Sequence, residues 1–249
     1  MVLKGKTVFI SDLHLGLFSR AEEEKREEVI VNFLYSLDRG VDALYILGDL
    51  FDYWFEYRRV IQKGYFRLFT ALKHLTDKGV KVYYIIGNHD FFHRDFFESY
   101  LGVKVEPDII ATEIDGKKFF LGHGDGLIKN DYGYKVLKKI FRNRFIQWLY
   151  SLIHPDLGIM IASGTSKQSR EYTTGKDYGE TDALFETART KIDSGYDYVL
   201  FGHSHVKTVR EYKHGKYINL GTWLAELTYG VFENNKFEIL NWEDNGEKQ

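Results

Sequence analysis

Short apolar runs recur along the chain, and five of them end at Asp, Asn or His. The runs occupy residues 8–10, 44–47, 82–86, 119–121 and 198–201. A short apolar run that is bounded by turn residues is typical of a strand buried in a sheet. The sequence therefore predicts five buried strands, each of which brings a polar side chain to its carboxyl end.

Amphipathic stretches separate the first three runs and predict helices. Residues 21–37 carry apolar side chains on one face, and residues 61–77 repeat the pattern. The order strand, helix, strand, helix, strand is typical of a parallel α/β sheet. Further along, residues 103–121 and 206–242 predict short strands joined by turns, and residues 180–195 predict another helix.

Residues 131–162 interrupt this alternation, because their pattern predicts helices where the α/β rhythm requires a strand. Residues 163–182 are rich in Ser, Thr and Gly, which indicates a loop. Neither an internal repeat nor a linker divides the sequence. We therefore expect a single α/β domain over residues 1–249, with two sheets and a helical insertion or lid at 131–162.

Composition narrows the classes of function. The 34 Lys and Arg nearly balance the 36 Asp and Glu, which argues against a general nucleic-acid binder, so no nucleic-acid partner is expected. The absence of cysteine excludes disulfides, thiolate metal ligands and cysteine nucleophiles, and it fits a cytoplasmic protein. The first residues lack a signal-peptide pattern, and no stretch reaches the roughly 18 apolar residues that span a bilayer.

The polar strand ends form five motifs in the order Asp-x-His, Gly-Asp, Gly-Asn-His-Asp, Gly-His and Gly-His-x-His. Any one of them alone is most often only a turn. Converging at the carboxyl edge of a sheet, they would offer a mixture of oxygen and nitrogen ligands that suits manganese, iron or zinc better than calcium or magnesium. The candidate metal ligands are Asp12, His14, Asp49, Asn88, His123, His203 and His205.

Two features of these motifs carry structural expectations. Asp49 has no Lys or Arg within several residues, so the charge that compensates this buried carboxylate is expected from elsewhere in the fold, and its two oxygens could bridge two cations. The glycines are expected to let the backbone turn sharply, so that the next side chain points into the site.

The ordered set of motifs from Asp12 to His205 resembles that of the calcineurin-like metallophosphoesterases. The resemblance implies an α-β-β-α sandwich of two packed sheets and a site for two divalent cations, with Mn²⁺ the first candidate and Fe or Zn the alternatives. It assigns Asp12, His14, Asp49 and His205 to one cation, and Asp49, Asn88, His123 and His203 to the other. It also gives Asn88 and His89 catalytic roles at the phosphoryl group, His89 as an electrostatic contact or as the acid for a leaving group.

Three further stretches resemble the UDP-2,3-diacylglucosamine hydrolases of lipid A synthesis. They are residues 41–54, residues 123–127 together with Asp131 and Tyr134, and a polar segment at 166–170. The substrate-binding residues that this resemblance implies are Asn88, His89, Asp131, Tyr134, Ser166, Lys167, Arg170 and His203. The chain departs from the subgroup at His89, where the best-known members carry arginine.

This second resemblance implies a pyrophosphatase that hydrolyses UDP-2,3-diacylglucosamine to 2,3-diacylglucosamine 1-phosphate and UMP. Its substrate would be a UDP-sugar lipid, and it would act in the cytoplasm at the inner face of the inner membrane, without an obligate protein partner. Two alternatives stay open. One is a phosphoesterase of the same fold with another phosphodiester or phosphomonoester substrate, and the other is a non-enzymatic scaffold that binds partners.

The stretch from Tyr134 to His154 contains no acidic residue and predicts a basic, aromatic, amphipathic helix. Its basic residues are Lys135, Lys138, Lys139, Arg142 and Arg144. Such a helix suits contact with an anionic membrane surface or with acyl chains. The alternative is a helix packed on the core with a solvated basic edge. The aromatic run from Phe51 to Tyr57 also has two possible roles. It could cover the core, or it could form a wall of the substrate site.

Overall fold

Strands and helices alternate through the residues that the structure describes, which in this computed structural model are 5–127, 132–161 and 180–243. The strands are β1 (Lys6–Ile10), β2 (Val41–Ile46), β3 (Lys81–Ile85), β4 (Lys104–Glu106), β5 (Ile109–Ile114), β6 (Lys117–Gly122), β7 (Tyr198–Phe201), β8 (Thr208–Tyr212), β9 (Gly215–Asn219), β10 (Thr228–Glu233) and β11 (Lys236–Asn241). The helices are α1 (Arg20–Ser36), α2 (Phe66–Asp77), α3 (Phe96–Leu101), α4 (Tyr132–Phe141), α5 (Arg144–Tyr150), α6 (155–161) and α7 (Glu180–Asp193).

The strands form two mixed sheets. The first has the order β11-β10-β1-β2-β3-β4 and the second the order β5-β6-β7-β9-β8. Strands β1 to β4 are parallel, as are β6, β7 and β9, and antiparallel strands complete each sheet. The predicted α/β fold with two packed sheets is confirmed. The expected convergence at the edge of one sheet is wrong, because two of the five strands, β6 and β7, belong to the second sheet.

Central strands such as β2 and β7 are continuous apolar runs because both of their faces are buried. In β2, Ala43 and Tyr45 face the other sheet, while Leu44 and Ile46 face helices, which follows from the two-residue period of a strand. Between the sheets, the ring of Phe9 stacks on that of Phe119 with centroids 5.9 Å apart. Burying one such side chain contributes about 1.5–3 kcal/mol, so this inter-sheet layer is a main source of stability.

Helices cover the outer face of each sheet. The first sheet packs against α1 and α2, where Phe33 and Leu72 are fully buried, and the second packs against α7 through Leu184 and Ile192. Helix α1 begins with a capping box at Ser19, whose backbone N–H donates to the Glu22 carboxylate at 3.1 Å. The layers are therefore helix, sheet, sheet, helix.

The helical segment at 132–161 is divided into three helices rather than the single long one expected from Tyr134. Helix α4 ends at Phe141, and Asn143 starts α5 by accepting hydrogen bonds from the backbone N–H groups of Phe145 and Ile146 at 2.9 and 3.2 Å. Such a cap ends one helix and begins the next. Within the three described ranges, no helix combines the length and the apolar character needed to cross a membrane.

Candidate metal centre

The two sheets meet at their strand ends through direct contacts between the motifs. The backbone N–H of His203, after β7, donates to Oδ2 of Asp12, after β1, at 3.1 Å. Nδ1 of His123, after β6, donates to the carbonyl oxygen of Leu47, after β2, at 2.8 Å. Side chains that are up to 191 residues apart in sequence are thus brought to one place.

One group of ligand atoms comes from the ends of β1, β2 and β7. Nε2 of His14 lies 3.0 Å from Nε2 of His205, and Nε2 of His205 lies 3.3 Å from Oδ1 of Asp12. Oδ2 of Asp49 lies 3.7 Å from Nε2 of His14. These are the four residues that the resemblance to calcineurin-like metallophosphoesterases assigns to one cation.

A second group adjoins the first through the same carboxylate. Oδ1 of Asn88 lies 2.9 Å from Nε2 of His123 and 3.0 Å from Nδ1 of His203. Oδ2 of Asp49 lies 3.3 Å from Nε2 of His123. A single oxygen of Asp49 therefore lies between the two groups, where a bridging ligand belongs.

The spacing of these atoms fits divalent cations. Bonds of about 2.1 Å place neighbouring ligand atoms about 3.0 Å apart in octahedral and about 3.4 Å apart in tetrahedral geometry. The contacts around Asn88 and between His14 and His205 span 2.9–3.0 Å. Because Nδ1 of His123 is occupied by the Leu47 carbonyl, Nε2 is the nitrogen that can bind a metal.

The buried carboxylates are compensated by imidazoles. Asp12 and His14 are fully buried, and Asp49 is 1% exposed. Burial alone would raise the pKa of Asp49, but the imidazoles of His123, His89 and His14 hold that pKa well below its usual value. The charge that the sequence requires around Asp49 is therefore supplied by histidines that follow three other strands, β1, β3 and β6.

Five of the seven candidate ligands have a left-handed backbone. Their φ angles are +56° for Asp12, +47° for His14, +52° for Asp49, +69° for His203 and +57° for His205. Among the described residues, the other non-glycine residues with positive φ are Asp115, Lys213, Asn234 and Asn235, which lie in hairpin turns. This conformation costs about 1–2 kcal/mol for an ordinary L-residue, so the site is held in a strained state by the surrounding fold.

The glycines of the motifs leave room for neighbouring side chains in addition to letting the backbone turn. A Cβ atom on Gly87 would collide with the carboxylate of Asp49, and one on Gly202 would collide with that of Asp12. Neither glycine has a positive φ, whereas the ligands Asp49 and His203 do. The expectation that glycine makes each turn is therefore wrong at Gly87 and Gly202, where glycine is required because a ligand from another strand passes against it.

His89 lies beside the two groups. Its backbone N–H donates to Oδ1 of Asp49 at 2.9 Å, and its Nδ1 lies 2.9 Å from the carbonyl oxygen of Asp52. Its ring meets that of His14 edge to face at a centroid distance of 5.0 Å. His89 is thus positioned at the centre, next to Asn88, as the sequence predicts.

Two carboxylates that support the candidate ligands were not predicted from the sequence. Asp90 is fully buried and accepts hydrogen bonds from Gly87 N–H at 2.7 Å, Leu50 N–H at 2.8 Å and the hydroxyl of Tyr84. Burial and the neighbouring charge of Asp49 raise the pKa of Asp90 to about 6. Asp90 ties the loops after β2 and β3 together. The available signal was its place in the Gly-Asn-His-Asp motif.

Asp52 is the second supporting carboxylate. It is 7% exposed, and its Oδ1 lies 3.7 Å from Nδ1 of His14 and 3.6 Å from Nδ1 of His89. A carboxylate behind a metal-binding histidine orients the ring and raises its basicity. Only its position in the aromatic loop after Asp49 marked this residue in the sequence.

The predicted substrate residues divide into two sets. Asn88, His89 and His203 lie at the centre described above. Asp131, Ser166, Lys167, Arg170 and the side chain of Tyr134 lie outside the described residues. The aromatic run is a cover of the core rather than an open wall, since Phe51 is fully buried and Trp54 is 1% exposed.

The amino-acid sequence of this chain is similar to that of several known proteins. The family model of calcineurin-like phosphoesterases matches residues 5–207. A UDP-2,3-diacylglucosamine hydrolase of Porphyromonas gingivalis is 29% identical over 97% of this chain and 99% of its own length. The protein of the same name from Photobacterium profundum is 33% identical over 80% of each chain. That of Haemophilus influenzae is 27% identical over 96% of this chain and 95% of its own.

Proposed function

The chain belongs to the calcineurin-like phosphoesterase family, and on that premise we propose that it hydrolyses UDP-2,3-diacylglucosamine to 2,3-diacylglucosamine 1-phosphate and UMP. The observation that carries the substrate assignment is the near end-to-end similarity to a UDP-2,3-diacylglucosamine hydrolase, at 29% identity over 97% of the chain. A metal-dependent hydrolase of a phosphoric anhydride agrees with the ligand set at the strand ends.

The proposed centre holds two cations, with Mn²⁺ as the first candidate. Asp12, His14, Asp49 and His205 would hold one, and Asp49, Asn88, His123 and His203 the other. When bound, such cations supply a nucleophile drawn from water at neutral pH and neutralise charge on the phosphoryl oxygens. Asp52 and the Leu47 carbonyl keep the rings of His14 and His123 turned toward the centre.

The reaction breaks one bond of the diphosphate. The oxygen of water forms a bond to the phosphorus that carries uridine, the bond from that phosphorus to the bridging oxygen breaks, and the sugar 1-phosphate leaves with the electron pair. The proton of the attacking water passes to solvent. His89 and Asn88 steady the phosphoryl oxygens, because their side chains lie beside the ligands of both groups.

In this proposal the insertion receives the acyl chains. It packs on the loops that follow β2 and β3, where the rings of Phe91 and Phe141 stack 5.0 Å apart and the hydroxyls of Tyr53 and Tyr150 lie 3.1 Å apart. Large apolar side chains of α4 to α6 remain exposed. They are Val136, Ile140, Phe141, Phe145, Ile146, Trp148, Leu149, Leu157, Met160 and Ile161.

Exposed apolar surface of this extent marks a binding site for a lipid or a protein. The same face would rest on the cytoplasmic surface of an anionic inner membrane, where the substrate's acyl chains are anchored. Two of the five basic residues do not point there, because Lys138 and Arg142 approach Asp125 and Asp108, which lie outside the insertion. The membrane contact is therefore carried mainly by apolar side chains.

The test is hydrolysis by protein that has been stripped of metal and reloaded with Mn²⁺. We expect release of UMP from UDP-2,3-diacylglucosamine with kcat/KM at least about a hundredfold above that for UDP-N-acetylglucosamine, since binding of the acyl chains lowers the barrier. Asp49→Asn should lower turnover by several orders of magnitude, because the charge shared by both metals is lost.

Elemental analysis should find two metal ions per chain in the wild type. Preference for a substrate without acyl chains would favour the other candidate, a phosphoesterase of the same fold with a soluble substrate. Full activity of Asp49→Asn with two metals bound would contradict the proposed centre.

A further inference from the structure

An ion pair joins the insertion to the loop that carries His123. The ammonium of Lys138, in α4, lies 2.7 Å from Oδ2 of Asp125 and donates a hydrogen bond to the Asp125 carbonyl oxygen at 3.0 Å. Asp125 follows His123 by two residues. The side chains of Asp125 and Lys138 are 4% and 16% exposed, so the pair is shielded from solvent.

Two other basic residues, Lys139 in α4 and Arg142 directly after it, are held less firmly. Arg142 lies 3.7 Å from Oδ1 of Asp108, but the Asp108 side chain is 57% exposed. Lys139 is exposed and forms no ion pair with any residue in the described ranges. Successive residues point about 100° apart around a helix, which is why Lys138 and Lys139 face in different directions. Exposed pairs contribute little, whereas loss of one partner of a buried pair leaves a costly charge.

Apolar packing does not fix α4 by itself. Its described apolar side chains Val136, Ile140 and Phe141 are 57%, 41% and 38% exposed. Half of their surface therefore gains nothing from contact with the core. The contact of Lys138 with Asp125 is accordingly the best-shielded ion pair described for this helix.

We propose that Lys138 is a positioning residue for the acylated substrate. By binding Asp125 it holds α4 beside the loop of His123, so that the apolar face of the insertion meets the acyl chains while the diphosphate reaches the metal ligands. The inference rests on the proposed function, because only a substrate with acyl chains uses this face.

Three variants separate this role from a general effect of charge. Lys138→Met removes the ammonium and keeps an unbranched chain, and Lys138→Arg restores a cation. Lys139→Met removes an exposed cation from the same helix and is the matched control. Each variant is assayed in detergent micelles with saturating Mn²⁺, for kcat and KM with UDP-2,3-diacylglucosamine and with bis(p-nitrophenyl) phosphate. Hydrogen exchange of the α4 amides is measured in parallel.

We expect Lys138→Met to raise KM for the acylated substrate at least about tenfold, since a buried partner is left unpaired. Its kcat, and its kcat/KM for the small diester, should stay within about twofold of the wild type, while the α4 amides exchange at least about tenfold faster. Lys138→Arg should recover most of the loss, and Lys139→Met should match the wild type.

Unchanged KM and unchanged α4 exchange in Lys138→Met would overturn the proposal. So would equal losses on both substrates with a reduced metal content, which would make Lys138 a structural support of the His123 loop. If the wild type does not hydrolyse the acylated UDP-sugar at all, the proposed function fails. The α4 exchange rates then still decide whether Lys138 holds the insertion.

Discussion

His89 is held by contacts that exist before any substrate arrives. A carbonyl oxygen can only accept a hydrogen bond, so Nδ1 of His89 must carry the proton that it shares with the Asp52 carbonyl. A proton given to a leaving group would therefore have to come from Nε2, which carries one at the same time only in the imidazolium form. Without that second proton the His89 ring is neutral and acts through its position and its dipole.

The leaving group decides which of these roles matters. A sugar phosphate with a second pKa near ~6 departs readily as an anion, whereas an alkoxide gains roughly 10²–10⁴-fold from a general acid. We expect His89→Ala to lower kcat/KM for an alkyl phosphodiester at least about tenfold more than for UDP-2,3-diacylglucosamine. Both substrates are compared at one Mn²⁺ concentration, with His154→Ala, an exposed histidine in the insertion, as the control. Equal losses would leave His89 a purely electrostatic role.

At this scale the sequence marks the candidate ligands more clearly than the residues that support them. Asp12, Asp49 and His205 stand out because a polar residue after an apolar run has a visible cost. Asp52 and Asp90 do not, since each is one acidic residue among 36 Asp and Glu, and its role depends on which loops meet. The backbone strain at the ligands is equally invisible, because φ is set by neighbours distant in the chain.

Among the elements, the insertion shows most clearly which structural details the pattern of apolar and polar residues does not predict. Its apolar and basic periodicity predicts helices, but it does not say that Lys138 turns inward to Asp125 while Lys139 points to solvent. That choice depends on a carboxylate 13 residues earlier in the chain. The sequence also does not show that the helix is interrupted at Asn143. Asparagine is common outside helix ends as well, so its presence alone does not predict a cap.

Exposed aromatic side chains should govern attachment to lipid. Phe145 and Trp148, in α5, are 64% and 52% exposed and stack on each other at 5.7 Å. Burying a large apolar side chain contributes about 1.5–3 kcal/mol, so loss of both should weaken binding by more than tenfold. We expect the double variant Phe145→Ser, Trp148→Ser to lose sedimentation with phosphatidylglycerol vesicles.

Val209→Ser is the control for that measurement, because Val209 is 54% exposed on β8, outside the insertion. It should sediment like the wild type. Equal sedimentation of the double variant and the wild type would show that the exposed face of the insertion does not contact lipid.

Over the whole molecule, the sequence predicts two sheets but not how the strands divide between them. Continuous apolar runs indicate strands buried on both faces, as β2 and β7 are. The same runs fit either sheet, because the pairing of β6 with β7 spans a segment of more than 70 residues. The centre consequently forms between two sheets, and its assembly requires the complete fold.

Acid should destabilise the fold through His93. Burial lowers the pKa of His93 from 6.5 to about 3, and its Nδ1 atom is buried without a hydrogen-bond partner in the described part of the chain. The unfolded chain therefore binds a proton that the folded chain rejects. Stability is fully present above pH 6.5 and falls as the pH decreases toward 3, by about 2 kcal/mol between pH 6.5 and 5.

Denaturant unfolding of the metal-free protein at pH 7 and pH 5 measures this loss. His93→Phe keeps a ring among Trp54, Tyr84 and Phe97. Between pH 7 and pH 5 its free energy of unfolding should fall by about 2 kcal/mol less than that of the wild type. His154→Gln, with a side chain that is 73% exposed, should keep the slope of the wild type. Parallel curves for all three proteins would remove His93 as the cause.

The positive φ angles of the candidate ligands favour particular substitutions once selection for activity is lost. Glycine occupies positive φ without the steric cost that histidine bears, and asparagine occupies it more easily than most residues. At His14, His203 or His205, such a replacement abolishes a metal ligand and relieves the backbone in one step. A lineage released from selection for turnover would therefore recover backbone free energy from the very mutations that end catalysis, and would lose in return an imidazole beside the buried carboxylates. Glycine or asparagine at these positions in a related chain would mark a descendant that has stopped hydrolysing its substrate.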